Sequence, residues 1–297
     1  MRGENTNDLR AFILVAQERS FTRAAARIGV SQSALSHTIR QLEERLGLRL
    51  LTRTTRSVGL TEAGERLLAG ILDPFDEIDA QVDALSALRD TPAGRVGIVA
   101  SEYAISHVLW PKLAPFLKAN PDIQLEITLD NGLTDIVAEG FDAGVRRGEH
   151  LEKDMISARI SPEVRYVVVG TPDLFATTPP PAHPRELSDF RCVNFRLRSS
   201  GTFFAWEFKE GDHAFRVRVE GQVAFNNIYD CYKAALAGFG LSYVPEQIAQ
   251  DDIAAGRLVS VLEEFCPYWD SFYLYYPNRR QTRPAFQAVL NALRERL

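Results

Sequence analysis

The sequence predicts an α/β protein with a mostly helical amino-terminal domain and a larger mixed body behind it. Three observations carry this. Apolar residues recur at helical spacing in three blocks before Gly47, the last two separated by a short turn. A long helix with a seven-residue apolar repeat follows from Thr61. From Val96 onward short apolar strands alternate with helical stretches, the pattern of parallel α/β structure.

The first block, residues 8–17, places Leu9, Phe12, Ile13 and Ala16 on one face and reads as a supporting helix. In the second, Phe21, Ala24, Ala25 and Ile28 share a face and Gly29 is the stop. Ser31 is a suitable N-cap for the third, in which Leu35, Ile39, Leu42 and Leu46 form one apolar stripe ended by Gly47. The opposite face carries Gln32, Ser33, Ser36, His37 and Arg40, side chains that reach base edges and phosphates without the repulsion of a carboxylate. Two helices joined by a tight turn, the second polar on its free face, form a helix-turn-helix. The next stretch, RLLTRTTRSVGL, suits a short basic hairpin. Alone, it reads equally as a solvated turn; beside a helix-turn-helix, Arg56 is expected in a DNA minor groove and Arg53 on the backbone.

Charge distribution supports a polyanionic partner for this end only. The net charge is −5, yet residues 1–60 hold ten arginines and five acids, a balance of +5 that leaves −10 on the rest.

Leu68, Ile71, Phe75, Ile78, Val82 and Leu85 alternate spacings of three and four, a seam that a twin helix from a second subunit would bury; packing on its own domain is the alternative. Pro74 interrupts it and predicts a bend. Residues 90–94 read as a hinge.

Beyond the hinge we expect strands at 96–99, 124–129, 143–146, 155–160, 165–170, 192–195, 206–208, 215–225, 241–244 and 272–276. Helices are expected at 105–119, 133–139, 228–237 and 284–297, with Pro111 and Pro115 disturbing the first. Residues 177–187 are a proline-rich surface connection.

The run SFTRAAARIGVSQSALSHTIRQLEERLGLRLLTRTTR followed by LTEAG resembles the amino-terminal domain of LysR-type transcriptional regulators. FDAGVRRGE, WEF, AALAGFGLSYVPEQIA, GRLVSVLEEF and FYLYYPNRR are similar to the effector-binding half of the same family, so the resemblance spans essentially the whole chain. It departs at His37, where many members carry Arg or Lys, and at Ser33-Ala34, where many carry Pro.

The resemblance implies a winged helix-turn-helix over residues 1–60, with recognition helix Ser31–Leu46 and a wing on Arg53, Thr54, Thr55 and Arg56. It implies a dimerisation helix at 61–89 and, over 90–297, two α/β lobes like a periplasmic solute-binding protein, joined by two crossing strands. Lobe I would take 92–162 and 268–297, and lobe II 163–267. The partners implied are double-stranded DNA, further copies of the chain as homodimer and homotetramer, a small-molecule effector and RNA polymerase. A regulator that binds DNA with no effector is the alternative.

Ligands of open α/β sheets bind beyond the carboxyl ends of the strands. That rule points to Ser101, Glu102, Asp130 and Arg146 in lobe I, and to Thr202, Phe203 and Asn227 in lobe II. Ser101 and Thr202 could donate to a carboxylate and Arg146 could pair with an anion. Each also has an ordinary reading: a capping serine, a loop threonine, an arginine paired with Asp142 or Glu149. Glu102 at the mouth would repel a simple anion.

No nucleotide-binding glycine fingerprint, GxSxG elbow or metal-spaced His/Cys cluster is present, so no catalytic residue, metal or cofactor is expected. Nothing approaches the roughly 20 apolar residues of a membrane span. The start has no apolar signal segment, which gives a cytoplasmic expectation. Cys192, Cys231 and Cys266 read as buried thiols, with a redox switch as the alternative.

Overall fold

The computed structural model describes residues 6–53, 58–84, 92–132, 135–148, 155–176, 178–198, 200–277 and 283–294. The chain begins with α1 (Thr6–Glu18), α2 (Phe21–Ile28) and α3 (Gln32–Leu46). Ser20 and Ser31 cap α2 and α3, accepting from the Arg23 and Ala34 amides. Gly29 and Gly47 end the two helices at φ 80° and 67°, a left-handed turn open to glycine. The stripe Leu35, Ile39, Leu42 meets Phe12, Val15, Phe21 and Ala24 in one buried core. The hairpin β1 (Leu51–Arg53) and β2 (Val58–Leu60) follows, antiparallel, with Leu51 opposite Leu60.

The long helix α4 spans Glu62–Ala84 and contains Pro74. Its apolar seam divides. Leu68 and Ile71 pack on the helix-turn-helix core, and Phe75 is buried at 8% exposure with the Arg10 guanidinium 5.5 Å from its ring. Ile78 is 51% exposed. The first half of the seam therefore serves its own domain. Residues 85–91, which take in Leu85, the expected helix end and the first two residues of the hinge, lie outside the described residues.

The body contains two main sheets. β3 (Gly94–Ala100) leads through α5 (Glu102–Ala104), a π-helical turn (Ile105–Leu109) and α6 (Trp110–Ala119) to β4 (Ile123–Leu129). Pro111 falls in the first turn of α6, directly after the π-helical turn, and the helix continues past Pro115. β5 (Ala143–Arg147) and β6 (Ile156–Arg159) follow. The chain then enters the second sheet as β7 (Val164–Gly170). Next come β8 (Asn194–Phe195), the hairpin β9 (Trp206–Glu210) and β10 (His213–Val217), and β11 (Ala224–Phe225). The sequence continues with α7 (Ile228–Leu236), β12 (Ser242–Pro245), α8 (Glu246–Ala254), β13 (Val259–Val261) and β14 (Tyr268–Trp269). β15 (Phe272–Tyr276) and α9 (Pro284–Leu293) complete the described chain.

The first sheet has the order β4-β3-β5-β15-β6 and the second β12-β7-β13, with β14 also on β7. The chain passes between them twice, from β6 to β7 and from β14 to β15. The expected parallel structure holds for β4, β3 and β5 and for the short pair β8 and β11. β15 runs antiparallel to both neighbours because it re-enters from the second sheet, whose own ladders are antiparallel.

Two predicted elements differ. Residues 133 and 134 of the expected helix 133–139 are outside the described set, and 136–140 form a turn. It is closed by the Phe141 amide on the Ile136 carbonyl (2.8 Å), with Gly140 at φ 76°. The expected strand 215–225 is broken between β10 and β11. There Gly221 crosses the Cys192 backbone so closely that a Cβ would lie 1.6 Å from its carbonyl oxygen.

Candidate DNA interface and effector cleft

The free face of α3 is built by the packing of its other face. With Leu35, Ile39 and Leu42 buried, Gln32, Ser33, His37 and Arg40 are exposed and Ser36 is half-buried. The N-terminal end is tied down. The Thr22 hydroxyl donates to Gln32 Oε1 (3.2 Å), and the Ser31 and Ser33 hydroxyls are 3.0 Å apart. The first bond joins α2 to α3 and the second closes the first turn of α3, where a recognition helix meets base edges.

The hairpin is held by a residue the sequence reading left unassigned. Glu43, on the buried side of α3 at 7% exposure, accepts from the amides of Leu50 (2.8 Å) and Leu51 (3.0 Å) at one carboxylate oxygen. That fixes the entry to β1, on whose last residue Arg53 sits. Thr54 and Arg56, at the tip, lie outside the described residues.

In the first sheet, Ser101, Asp130 and Arg146 line a cavity of ≈ 190 Å³. They come from three adjacent strand ends, as the crevice rule requires. Tyr166 and Phe272 supply apolar walls, and Arg147 lies beside them. None of these three was singled out from sequence. Ser101 also caps α5, accepting from the Ala104 amide (3.3 Å). Asp130 accepts from the Gly132 amide (2.9 Å) and lies 3.7 Å from Arg198. The Arg146 guanidinium is 4.9 Å from the Tyr275 ring centre, while Asp142 is held by Arg283 (2.8 Å).

Glu102 and Asn227 meet across the two sheets. The Asn227 side-chain amide donates to the Glu102 carboxylate, and its carbonyl caps α7 by accepting from the Tyr229 amide (2.8 Å). The carboxylate that seemed set to repel an anion is thus spent on an amide. Nearby, Tyr103 donates to Gln247, Asn131 donates to the Asn226 carbonyl (3.3 Å), and the Tyr229 hydroxyl is 3.1 Å from His107 Nδ1. Burial lowers the His107 pKa and raises that of Tyr103, so both are neutral here. Arg147 reaches the buried Glu207 (3.6 Å), which Arg216 also holds (2.8 Å). Thr202 and Phe203 are outside the cavity lining. Thr202 pairs with the Ser200 hydroxyl (2.7 Å), and Phe203 lies beneath the Arg196 guanidinium (4.6 Å).

A larger cavity, ≈ 500 Å³, lies between α1, α4 and the first sheet, with Gln17 packed against Gly140. Its charges largely pair with one another: Arg27 with Glu18, Arg95 with Glu126, Arg283 with Asp142.

The three cysteines are buried, and desolvation pushes Cys192 and Cys231 up to about 12 and Cys266 to about 11. Raised values keep the thiols protonated and oppose thiolate chemistry. Among the described residues no group of three or more His, Cys, Asp or Glu is arranged to hold a metal ion. No described helix is long and apolar enough to cross a membrane.

Comparison with known proteins agrees with this geometry. Residues 6–65 match the bacterial regulatory helix-turn-helix protein, lysR family, and residues 89–297 match the LysR substrate binding domain. A chain from Pseudomonas aeruginosa is 51% identical over 290 residues, covering 98% of this chain and 95% of its own. The HTH-type transcriptional regulator PgrR of Escherichia coli K12 is 45% identical over 294 residues, covering 99% of this chain and 98% of its own. The full-length Vibrio cholerae virulence activator AphB shares the fold, with a TM-score of 0.67 at 22% identity over 98% of each chain. With both family domains in order along nearly its whole length, the chain belongs to the LysR family of transcriptional regulators, with a DNA-binding helix-turn-helix and an effector-binding domain.

Proposed function

We propose that the protein reads double-stranded DNA through Gln32, Ser33, Ser36, His37 and Arg40 on α3, with Arg53, Thr54 and Arg56 of the wing on backbone and minor groove. The observation that carries this is the exposed, carboxylate-free start of α3, anchored through Gln32 and Ser31. Two copies joined through α4 place two such helices on half-sites about one helical turn apart. The exposed Ile78 supports that pairing. Two dimers would form a tetramer in the cytoplasm, with RNA polymerase as a further partner. A small effector in the cleft at Ser101, Asp130 and Arg146 would favour one arrangement of the dimers and so alter DNA bending.

A footprint and binding titration on DNA upstream of its own gene, at two salt concentrations, tests the DNA role. Protection over several helical turns is expected. Weak, salt-sensitive binding with no protected region there and on no selected genomic fragment would contradict it. The effector role is tested by thermal shift against a metabolite library, since a ligand of the folded state raises Tm by mass action.

A further inference from the structure

We propose that the effector cleft takes a dipolar ligand, an α-amino acid carrying ammonium and carboxylate together; this rests on the effector-binding role proposed above. The strand register carries the inference. Ala100 of β3 stands opposite Leu129 of β4 on one side and Val145 of β5 on the other. The next residues, Asp130, Ser101 and Arg146, therefore stand side by side at the carboxyl ends of these strands, with the serine in the middle and Arg146 still paired to Tyr273 of β15. Neighbouring strands are about 4.8 Å apart, so the two charged residues start about 10 Å from each other. Both line the same ≈ 190 Å³ cavity, which is therefore electrically polar from one side to the other.

The charges around these two are mostly paired. Arg147 reaches Glu207, and Arg198 lies by Asp130. Glu102, next to Ser101, accepts the Asn227 amide. Arg216 holds the same Glu207, and within the lining Arg146 and Asp130 stand as opposite poles on either side of Ser101. A simple anion drawn to Arg146 meets Asp130, and a simple cation meets the reverse. A ligand with both signs turns both poles into attraction. The Ser101 oxygen already accepts from Ala104, which leaves its proton for a ligand carboxylate between the poles. Val145, Tyr166 and Phe272 offer an apolar wall for the side chain. The cavity is below the roughly 300 Å³ at which drug-sized sites begin, which suits a ligand of a few heavy atoms.

The test is titration calorimetry on the full-length protein at pH 7 with the proteinogenic α-amino acids. For each hit, the deamino acid and the decarboxylated amine are titrated as well. A set of sugars, nucleosides, aromatic acids and dicarboxylates runs alongside. We expect at least one amino acid to bind and both of its truncated forms to bind about tenfold more weakly or worse. Asp130→Asn should then bring the affinities of the amino acid and its deamino acid together. Arg146→Gln should do the same for the amino acid and its amine. The comparison within the unaltered protein stands even where a variant fails to fold. Equal binding of a truncated form, or hits confined to the non-dipolar set, overturns the dipolar class and leaves effector binding in place. Silence from every compound overturns both.

Discussion

A methyl group on Gly64 would lie 2.1 Å from the carbonyl oxygen of Leu50. The start of α4 is thereby pressed onto the base of the wing hairpin. Thr61 holds the same joint: its hydroxyl accepts from the Gly64 amide (3.1 Å) and donates to the Arg49 carbonyl (2.6 Å). The stretch Leu60-Thr61-Glu62-Ala63-Gly64 is thus a mechanical coupling between hairpin and long helix. Gly64→Ala should destabilise the amino-terminal domain by about 1–3 kcal/mol through overpacking. Urea unfolding followed in that domain would show it, and an unchanged midpoint would contradict the close approach.

Glu43 should matter more than an ordinary helix carboxylate. Removing it leaves two buried amides, those of Leu50 and Leu51, without their acceptor. Glu43→Ala is expected to cost about 2–4 kcal/mol, and Glu43→Gln less because an acceptor remains. Equal effects of the two variants would assign the loss to packing instead.

Base and backbone contacts separate by their signatures. His37→Ala should change base preference at one position by roughly 1–3 kcal/mol. Arg56→Ala should weaken binding to every sequence and lower the salt slope by about 1. Uniform loss from His37→Ala, or an unaltered slope from Arg56→Ala, would reverse the two roles.

The contact between Glu102 and Asn227 offers a way to loosen the cleft without unfolding α7. Asn227→Asp keeps a good N-cap but sets a second carboxylate against Glu102. Faster hydrogen exchange at the start of α7 is expected, and adding Glu102→Gln should restore protection. Failure of the second change to rescue the first would mean the pair does not hold the two sheets together.

The thiols give a pH test. Their ordinary value is 9.0, and burial raises them to between about 11 and about 12. Folding therefore binds protons that the unfolded chain releases first. Stability should be fully present below pH 9 and fall as pH rises toward 12. At pH 7.5 iodoacetamide should label the native protein slowly and the unfolded protein at all three cysteines. Rapid native labelling would contradict their burial.

Much of the amino-terminal domain was legible because its signals are local. The stripe of α3, its capping Ser31 and its closing Gly47 all lie within seventeen residues. Glu43 was not, because the amides it holds come after the chain has turned into the hairpin. In the body, strand positions followed from short apolar runs, but the reversed direction of β15 depends on where it returns from. α8 escaped notice because its apolar face is short, Ile248, Ala249 and Ile253 with the buried Asp252 among them. The cavity walls Tyr166 and Phe272 lie 106 residues apart, beyond the reach of any spacing rule.

The most direct test of DNA reading by α3 is selection of bound genomic fragments by the full-length protein, repeated with Gln32→Ala and His37→Ala. Enriched fragments should share two-fold related half-sites about one helical turn apart. Each variant should alter the preferred bases within the half-sites while leaving their spacing unchanged. Identical half-sites for all three proteins, or enrichment without any shared sequence, would contradict it.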